Sequence, residues 1–434
     1  MKIHCVGIGG IGISALAQYY LAKRWKVSGS DLMPSEITDL LKKKGAKISI
    51  GPHVKKNVPK DADRIVFSPA VSNNNPELKG AKRVMSYPQA LGELTKEFTT
   101  IAVSGTHGKS TTSSMIGLLL QNAGLDPTVI VGTKLKEFGG SNFRMGKGKY
   151  LVIEADEHFA SFLHYRPRMI VLTTVEEDHL DYYKNLNSIL STFKKYLSLL
   201  PKDGIVVANG DDPNVKRIVG KRKANWYSLR QKEAQKVSQS MAIPGKHNVS
   251  NGLAVLAVAR ALGIPDKIAY RTLSRYQGSW RRFEIFKVSH PKPFTLLSDY
   301  GHHPTEIKVT VDAAKQKWPG KKIWLVFQPH QYQRTYYLWD DFVRVLSAVP
   351  VQKLILCDIY DVAGREEGST KKRVSSAKLA KAIGTRALYI PTLPEVRTYL
   401  KKNLKGGEIV MVMGAGDIYS LALALTKKRK RENI

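Results

Sequence analysis

One segment of the chain combines the residue types that hold a polyphosphate. An apolar run, Ile101–Val103, leads into Ser-Gly-Thr-His-Gly-Lys-Ser-Thr-Thr at residues 104–112. Glycines let backbone N–H groups converge on an anion, and the start of a helix adds partial positive charge. The Lys109 ammonium can reach the terminal phosphates of ATP, and the hydroxyl of Ser110 or Thr111 can bind Mg²⁺. Val103 stands where the general phosphate-loop pattern has its first glycine, and this tighter form is typical of ATP-dependent ligases.

Acidic residues follow two apolar runs that are predicted to be strands. The first run starts at Tyr150 and ends in Glu-Ala-Asp-Glu at residues 154–157; the second starts at Met169 and ends in residues 175–181, which include His179. Because parallel strands place their carboxyl ends at one edge of a sheet, both clusters are expected to face the phosphate loop. Glu154 and His179 would hold Mg²⁺ there. A solvated acidic loop is the alternative for each cluster.

A second glycine turn lies at the start of the chain. Residues 7–12 read Gly-Ile-Gly-Gly-Ile-Gly, and Asp31 follows the last glycine by 19 positions. This is the dinucleotide-binding arrangement, with Asp31 on a ribose hydroxyl, although the same turn can hold any diphosphate at a helix N-terminus. Ser68 ends a later apolar run and is expected at the carboxyl edge of the same sheet.

Polar residues in the second half of the chain allow two interpretations each. Asn248 precedes an apolar helix, where it is either a helix cap or a partner for an adenine edge. His302 and His303 suggest zinc in isolation, but no third ligand stands at recognisable spacing. We therefore expect these histidines to cap the backbone or to contact a substrate.

The elements that must position these residues fall into three blocks. Strands alternate with helices along the whole chain, which predicts an α/β protein with parallel, doubly wound sheets. We predict a Rossmann-like domain at residues 1–97, a central phosphate-loop ATPase-type domain at 98–280 and a second Rossmann-like domain at 281–434. A chain of 434 residues is long enough for several cores.

Composition limits the class of protein. No apolar run approaches the ~18–20 residues of a membrane span, and the N-terminus shows no signal-peptide pattern. Cys5 and Cys357 lie in apolar runs and are expected to be buried thiols, which favours a cytoplasmic location. The net charge is +33, and residues 426–431 read Thr-Lys-Lys-Arg-Lys-Arg. This tail is a nucleic-acid patch, a nuclear signal or, as we prefer, a solvated helix end; nucleic acid is an unlikely partner, because the aromatic interleaving of a single-strand groove is missing.

Taken in order, the motifs resemble those of the Mur ligase family. They are GIGGIG, SGTHGKSTT, EADEHFASFLHYRP, EEDHLDYY, GKHNVSN, YQGSWRRFE, SDYGHHPTE, FQPHQYQRT and MGAGDI, and they cover nearly the whole chain. The resemblance implies a three-domain, ATP- and Mg²⁺-dependent enzyme of peptidoglycan precursor synthesis. GIGGIG, DYGHHPTE and FQPH together are similar to the members that join L-alanine to UDP-N-acetylmuramate through an acyl phosphate.

The resemblance also implies roles for individual residues. Lys109 and Arg282 would supply fixed cations. The turn at residues 7–12 would bind the diphosphate of the sugar nucleotide, and not a dinucleotide such as NAD. Metal ligands would be Ser110, Thr111, Glu154 and His179. The ATP site would consist of Gly105, Thr106, His107, Gly108, Lys109, Ser110, Thr111, Asn248, Asn251, Arg282 and Asp299. Substrate-binding residues would be Gly9, Gly10, Ile11, Gly12, Asp31, Ser68, His302, His303, His330 and Arg334.

The chain departs from the family pattern at two places. Gln331 stands where the family usually has an arginine, which predicts weaker binding of the amino acid and leaves alanine, glycine and serine open as substrates. Residues 361–367 differ from the usual Ala-Gly-Glu pattern. Alternatives are the ligase that recycles murein tripeptide and, in a different class, a basic phosphate-loop ATPase that binds nucleic acid. A monomer or homodimer is expected.

Overall fold

Three β-sheets, formed by consecutive parts of the chain, make up the frame of the protein. A computed structural model describes residues 1–79, 83–289, 292–361 and 368–426. The chain divides into two units. The first unit comprises Met1–Glu176, Leu186–Ser240 and Ser250–Arg275; the second comprises Glu177–Asn185, Met241–Val249 and the part of the chain from Tyr276 onward.

The first unit contains two sheets. The N-terminal sheet has five parallel strands in the order β3-β2-β1-β4-β5. Its strands are β1 Lys2–Val6, β2 Lys26–Asp31, β3 Lys47–Ile50, β4 Arg64–Phe67 and β5 Val84–Ser86. A Cβ atom on Gly29 would lie 2.5 Å from the Cys5 carbonyl oxygen and 2.6 Å from Ile8 Cδ1. Glycine therefore lets β2 pack closely against the first glycine turn.

The second sheet of this unit has seven strands in the order β12-β11-β10-β6-β9-β7-β8. All are parallel except β8, which runs antiparallel to β7. The strands are β6 Thr99–Ser104, β7 Thr128–Leu135, β8 Ser141–Arg144, β9 Tyr150–Glu154, β10 Met169–Leu172, β11 Ile205–Asn209 and β12 Asn225–Tyr227. Because β6, β9 and β10 are neighbours, the residues that follow them meet at one edge.

Helices connect the strands of the first unit. Its α-helices are Ile11–Ala22, Glu36–Lys43, Tyr87–Thr95, Lys109–Asn122, Leu186–Leu197, Pro213–Val219, Glu233–Ser240 and Asp266–Arg275. Short 3₁₀ segments lie at Lys55–Asn57, Pro76–Leu78, Lys136–Phe138 and His158–His164. A further helix, Lys246–Ala261, begins in the second unit and ends in the first.

The second unit is built on a six-stranded sheet in the order β13-β14-β18-β15-β16-β17. The strands are β13 Glu284–Val288, β14 Phe294–Asp299, β15 Ile323–Phe327, β16 Lys353–Leu356, β17 Ala387–Tyr389 and β18 Ile409–Met413; β13 is antiparallel to its neighbour. Its helices are Leu180–Tyr183, Pro304–Lys317, Tyr332–Tyr337, Trp339–Ala348, Gly368–Arg373, Ser376–Ile383, Leu393–Asn403 and Tyr419–Thr426.

The two faces of this sheet bury separate cores. Ile409, Met411 and Met413 of β18 belong to one apolar cluster, whereas Val410 and Val412 belong to the other. Side chains alternate across a strand, so a strand covered on both faces must be apolar throughout. This is why the parallel strands read as uninterrupted apolar runs in the sequence.

The predicted α/β class with three largely parallel sheets is confirmed. The antiparallel strands β8 and β13 were not predicted, and the domain boundaries proposed at residues 97 and 280 stay a prediction. Strand β4 ends at Phe67, so Ser68 lies in the following loop, at the carboxyl edge of the sheet where it was predicted. The basic residues 427–431 and residues 362–367 of the unusual loop lie outside the described part of the chain.

Two further expectations concern the cysteines and the membrane. Cys5 and Cys357 are both buried and unpaired, and burial raises the pKa of each thiol to about 12. None of the helices in the described residues is both long and apolar enough to cross a bilayer.

Candidate functional site

The phosphate loop joins β6 to the helix Lys109–Asn122 and depends on two glycines. Gly105 has φ +138° and Gly108 has φ +81°. A Cβ atom on Gly105 would overlap the Thr173 hydroxyl, and one on Gly108 would lie 2.5 Å from Asn251 Oδ1. The Gly108 N-cap has no side-chain hydrogen bond to the helix, so the first amides of the helix can bind an anion.

Residues after β10 hold this loop in place. The Thr106 N–H donates to the Thr174 carbonyl (2.6 Å), and the Glu176 N–H donates to Thr106 Oγ1 (3.0 Å). The Thr173 hydroxyl donates to the His107 carbonyl (2.6 Å), and the His107 imidazole contacts the Glu176 carboxylate. Thr106 and His107 therefore fasten the loop with their side chains, and their predicted contact with nucleotide stays a prediction.

The ammonium group of Lys109 lies against a buried carboxylate. Lys109 Nζ donates to both oxygens of Glu157, at 2.8 and 3.0 Å, and to the Gly105 carbonyl at 2.6 Å. Burial alone would lower the pKa of Lys109, but the charges of Glu157, Asp156 and Glu154 outweigh it and hold that pKa above its usual range. Burial raises the pKa of Glu157, and the attraction of Lys109 opposes that rise. Lys109 is thus a fixed cation with a fixed counter-ion.

Ser110 and Glu154 form a pair of oxygen donors beside this lysine. The Ser110 hydroxyl donates to Glu154 Oε2 (3.0 Å), and the other oxygen of Glu154 accepts from the Gly132 N–H. Ser110 and Thr111 are both buried. A hydroxyl and a carboxylate are the hard oxygen ligands that Mg²⁺ prefers, so this pair fits the ion. Glu154 belongs to the first unit and His179 to the second, and their joint binding of Mg²⁺ stays a proposal.

Gly108 supplies a direct test of the loop. Gly108→Ala is expected to weaken ADP binding by at least about tenfold, because a side chain at φ +81° would be strained and would displace Asn251. Gly124→Ala is the matched control, since Gly124 has φ +77° but open space around its Cβ position. Calorimetric titration of both variants with ADP would measure the difference; equal affinities would contradict the assigned role of the loop.

The first glycine turn brings together most of the residues predicted to bind the sugar nucleotide. The Gly9 N–H donates to Asp31 Oδ2 (2.8 Å), and Ser68 lies against Gly7 and Gly10. Ile11 and Gly12 open the helix Ile11–Ala22, where a Cβ atom on Gly12 would meet the Tyr87 ring. The turn therefore presents a helix N-terminus with Asp31 bonded to it, and the contact of Asp31 with a ribose hydroxyl stays a prediction.

A buried ion pair dominates the site in the second unit. Arg334 Nε donates to Asp178 Oδ1 (3.0 Å), and Arg334 Nη2 lies 3.4 Å from Asp178 Oδ2. Burial would raise the pKa of Asp178, but Arg334 and the nearby histidines hold it well below its usual range. Arg334 Nη1 lies 3.1 Å from Gln331 Oε1 and 3.3 Å from His330 Nδ1. The predicted substrate residues His330 and Arg334 are thus neighbours, and Gln331 adopts a left-handed conformation at φ +72°.

His302 and His303 have different surroundings. His303 is the N-cap of the helix Pro304–Lys317: its Nδ1 accepts from the Thr305 N–H (3.2 Å), and its Nε2 lies 3.2 Å from the Glu177 carbonyl. Backbone capping, one of the two expected roles, is therefore what His303 does here. Burial lowers the pKa of His302 to about 4, so it is neutral at pH 7. His302 is 5.8 Å from His330 between ring centroids.

Two further nucleotide candidates, Asp299 and Arg282, lie in the second unit. Asp299 is buried and accepts from the Phe283 and Gly301 N–H groups, both at 2.8 Å. Burial raises the pKa of its carboxyl group. Arg282 lies 4.9 Å from the centroid of the Tyr300 ring.

The two asparagines lie on the helix Lys246–Ala261. Asn248 is inside its first turn, and its Nδ2 donates to the Pro244 carbonyl (2.6 Å), so the helix-cap interpretation of Asn248 is wrong. Asn251 lies against Gly108 of the phosphate loop. Contact of either residue with adenine stays a prediction.

Sequence reasoning did not single out Glu157 and Asp178. Each stands in an acidic cluster after a buried strand, which was the available signal. The three-dimensional structure was needed to show which acid of each cluster faces Lys109 or Arg334.

Comparison with known proteins finds one family along most of the chain. Residues 2–99 match the model described as Mur ligase family, catalytic domain; residues 103–259 match the Mur ligase middle domain; and residues 281–416 match the Mur ligase, glutamate ligase domain. The UDP-N-acetylmuramate–L-alanine ligase of Acetivibrio thermocellus is 38% identical, with 99% of this chain and 96% of that protein covered.

Solved structures are similar over the same length. The UDP-N-acetylmuramate–alanine ligase of Thermotoga maritima has a TM-score of 0.80 and 28% identity, with 98% of each chain covered. A murein peptide ligase from Psychrobacter arcticus has a TM-score of 0.73 at 23% identity and the same coverage, a likeness of fold alone.

Proposed function

Because this chain belongs to the Mur ligase family, we propose that it joins L-alanine to the carboxylate of UDP-N-acetylmuramate with the use of ATP. The observation that carries the proposal is the presence, in one unit, of two separate glycine turns that each open a helix. One turn carries Lys109, Ser110 and the facing acids, which suits a triphosphate; the other has no lysine at the start of its helix and suits a diphosphate.

The proposed reaction follows from the low reactivity of a carboxylate. The carboxylate oxygen of the sugar nucleotide attacks the γ-phosphorus of ATP, ADP leaves and an acyl phosphate forms. The amine of alanine then attacks the acyl carbon and the bond from that carbon to the bridging oxygen breaks. Inorganic phosphate leaves with this oxygen, and the nitrogen loses a proton to give the amide. Transfer between two anions requires alignment and charge neutralisation, which Lys109 and Arg282 would supply. Mg²⁺, held by Ser110, Thr111, Glu154 and His179, would neutralise phosphate charge.

An omission assay tests the proposal. Phosphate release would be measured with ATP, Mg²⁺, UDP-N-acetylmuramate and, in turn, L-alanine, glycine and L-serine. Release is expected only when both the sugar nucleotide and an amino acid are present, and fastest with L-alanine. Release that requires the tripeptide L-Ala-γ-D-Glu-diaminopimelate would indicate the recycling ligase instead. Release stimulated by DNA or RNA in place of these acceptors would contradict the ligase and explain the net charge of +33.

Gln331 is expected to weaken the amino-acid site. It lines a surface pocket with Asp178, Arg334, Tyr337 and neighbouring residues, and the charge of Arg334 is already balanced there by Asp178. Gln331→Arg adds a cation and is expected to lower the KM for L-alanine about three- to tenfold, with little change in the KM for ATP. Gln331→Met has similar length without charge and should show no gain. A KM for L-alanine that is the same in all three proteins would contradict this role.

We also propose that the enzyme acts in the cytoplasm as a monomer or homodimer. The buried thiols of Cys5 and Cys357 support the location, because neither is paired in a disulfide.

A further inference from the structure

Lys109 lies beside a carboxylate that the proposed reaction does not use. The ammonium group of a lysine has three N–H donors. In this structure, Lys109 Nζ lies within hydrogen-bond distance of both oxygens of Glu157 and of the Gly105 carbonyl. A phosphate oxygen that binds Lys109 must therefore replace at least one of these acceptors.

Glu157 is placed to compete with a phosphate. It is 3% exposed, so its charge is poorly screened by water. Asp156 is also near Lys109, at 3.9 Å, but its side chain is 57% exposed and its influence is correspondingly weaker. Glu157 is thus the acid of this cluster that both holds the lysine and would repel an arriving polyphosphate.

The contact also has a reason to exist. A buried lysine without a partner is strongly unfavourable, because its charge has lost water and gained no counter-ion. A carboxylate on the strand-end loop after β9 satisfies the ammonium group while the phosphate loop is empty of nucleotide. Once phosphate oxygens are present, the same carboxylate repels them and makes nucleotide binding less favourable.

We propose that Glu157 is the counter-ion of Lys109 in the nucleotide-free protein and holds the lysine in position. When a nucleotide binds, its phosphates replace Glu157 as partners of Lys109. Because this contact must be broken and the carboxylate repels the phosphates, Glu157 weakens nucleotide binding. This inference rests on the proposed function only in that the loop binds a nucleotide. Glu157 is a positioning residue, since it acts on the nucleotide through Lys109.

The test is the affinity for ADP without Mg²⁺, measured by calorimetric titration of the full-length protein. Glu157→Gln keeps the shape and removes the charge, and is expected to bind ADP about tenfold more tightly than the wild type. A residue with a structural role alone would leave the affinity unchanged or lower it. Asp156→Asn is the matched control and should change the affinity less than about twofold. Glu157→Asp retains the charge and should not reproduce the gain.

Two results would overturn the proposal. One is an affinity for ADP in Glu157→Gln that equals or falls below that of the wild type, with unchanged melting behaviour. The other, which needs no variant, is a structure of the wild type with ADP or ATP in which Lys109 keeps both Glu157 contacts and makes none to phosphate. Undetectable ADP and ATP binding by the wild type would instead contradict the proposed function itself, so the two failures can be told apart.

Discussion

Replacement of Lys109 by alanine is expected to lower the rate of ATP-dependent phosphate release about 10³-fold. The physical reason is the fixed position of the ammonium group, because Lys109 is the first residue of its helix and its Nζ donates to the Gly105 carbonyl. An anionic acceptor attacks an anionic phosphate in this reaction, so a fixed cation stabilises the transition state more than water can. The rate would be measured with saturating sugar nucleotide and L-alanine.

This variant needs a control for folding. Lys109→Ala leaves Glu157 buried without its partner, which is expected to cost about 3–5 kcal/mol of unfolding free energy. The double variant Lys109→Met, Glu157→Gln removes both charges, and should regain most of the stability while remaining inactive. Lys134→Ala is a matched lysine control: Lys134 pairs with Glu36, whose side chain is 72% exposed, and its loss should leave activity near that of the wild type. If the double variant released phosphate at the wild-type rate, the proposed role of Lys109 in the reaction would be contradicted.

Arg334→Ala is expected to have the largest effect on stability in the second unit. Both Asp178 and Arg334 are 8% exposed and form two close contacts, so the variant leaves a buried carboxylate without its guanidinium partner. We expect a loss of about 3–5 kcal/mol in unfolding free energy at pH 7, measured by denaturant titration. L-Alanine binding should weaken as well, because the guanidinium group also fixes His330 and Gln331.

The pH dependence gives this prediction a second readout. The pKa of Asp178 is held well below its usual range, so the pair stabilises the folded protein above the unfolded pKa, about 4. That stabilisation is lost as the pH falls from about 4 toward the lower folded pKa. The difference between the wild type and Arg334→Ala should therefore shrink under acid conditions. The double variant Asp178→Asn, Arg334→Met should recover much of the loss at pH 7, and a double variant as unstable as the single one would contradict the ion-pair explanation.

Features that depend on adjacent residues could be predicted from the sequence. The phosphate loop needs a strand, two glycines and a lysine at the start of a helix, all within a few residues, and the structure has Gly105, Gly108 and Lys109 in that arrangement. The parallel strands were also predictable from adjacent residues. A strand that is buried on both faces, such as β18, is an uninterrupted apolar run in the sequence.

Features that depend on distant residues could not be predicted from the residues alone. Asp178 and Arg334 are 156 positions apart, and nothing local to either indicates the pair. The acids at 154–157 were visible as a cluster, but only the fold shows that Glu157 faces Lys109 while Glu154 faces Ser110. The capping role of His303 depends on where the helix Pro304–Lys317 begins. The positive φ of Gln331 depends on the path of the chain after β15.

The central step, formation of an acyl phosphate, can be followed through one oxygen atom. UDP-N-acetylmuramate labelled with ¹⁸O in its carboxylate would be incubated with the protein, ATP, Mg²⁺ and L-alanine, and the released phosphate analysed by mass spectrometry. An acyl phosphate must transfer one carboxylate oxygen to phosphate, so we predict one ¹⁸O in each released phosphate and an amide product in equal amount. Phosphate that is released without ¹⁸O, or without formation of the amide, would contradict the ligase mechanism.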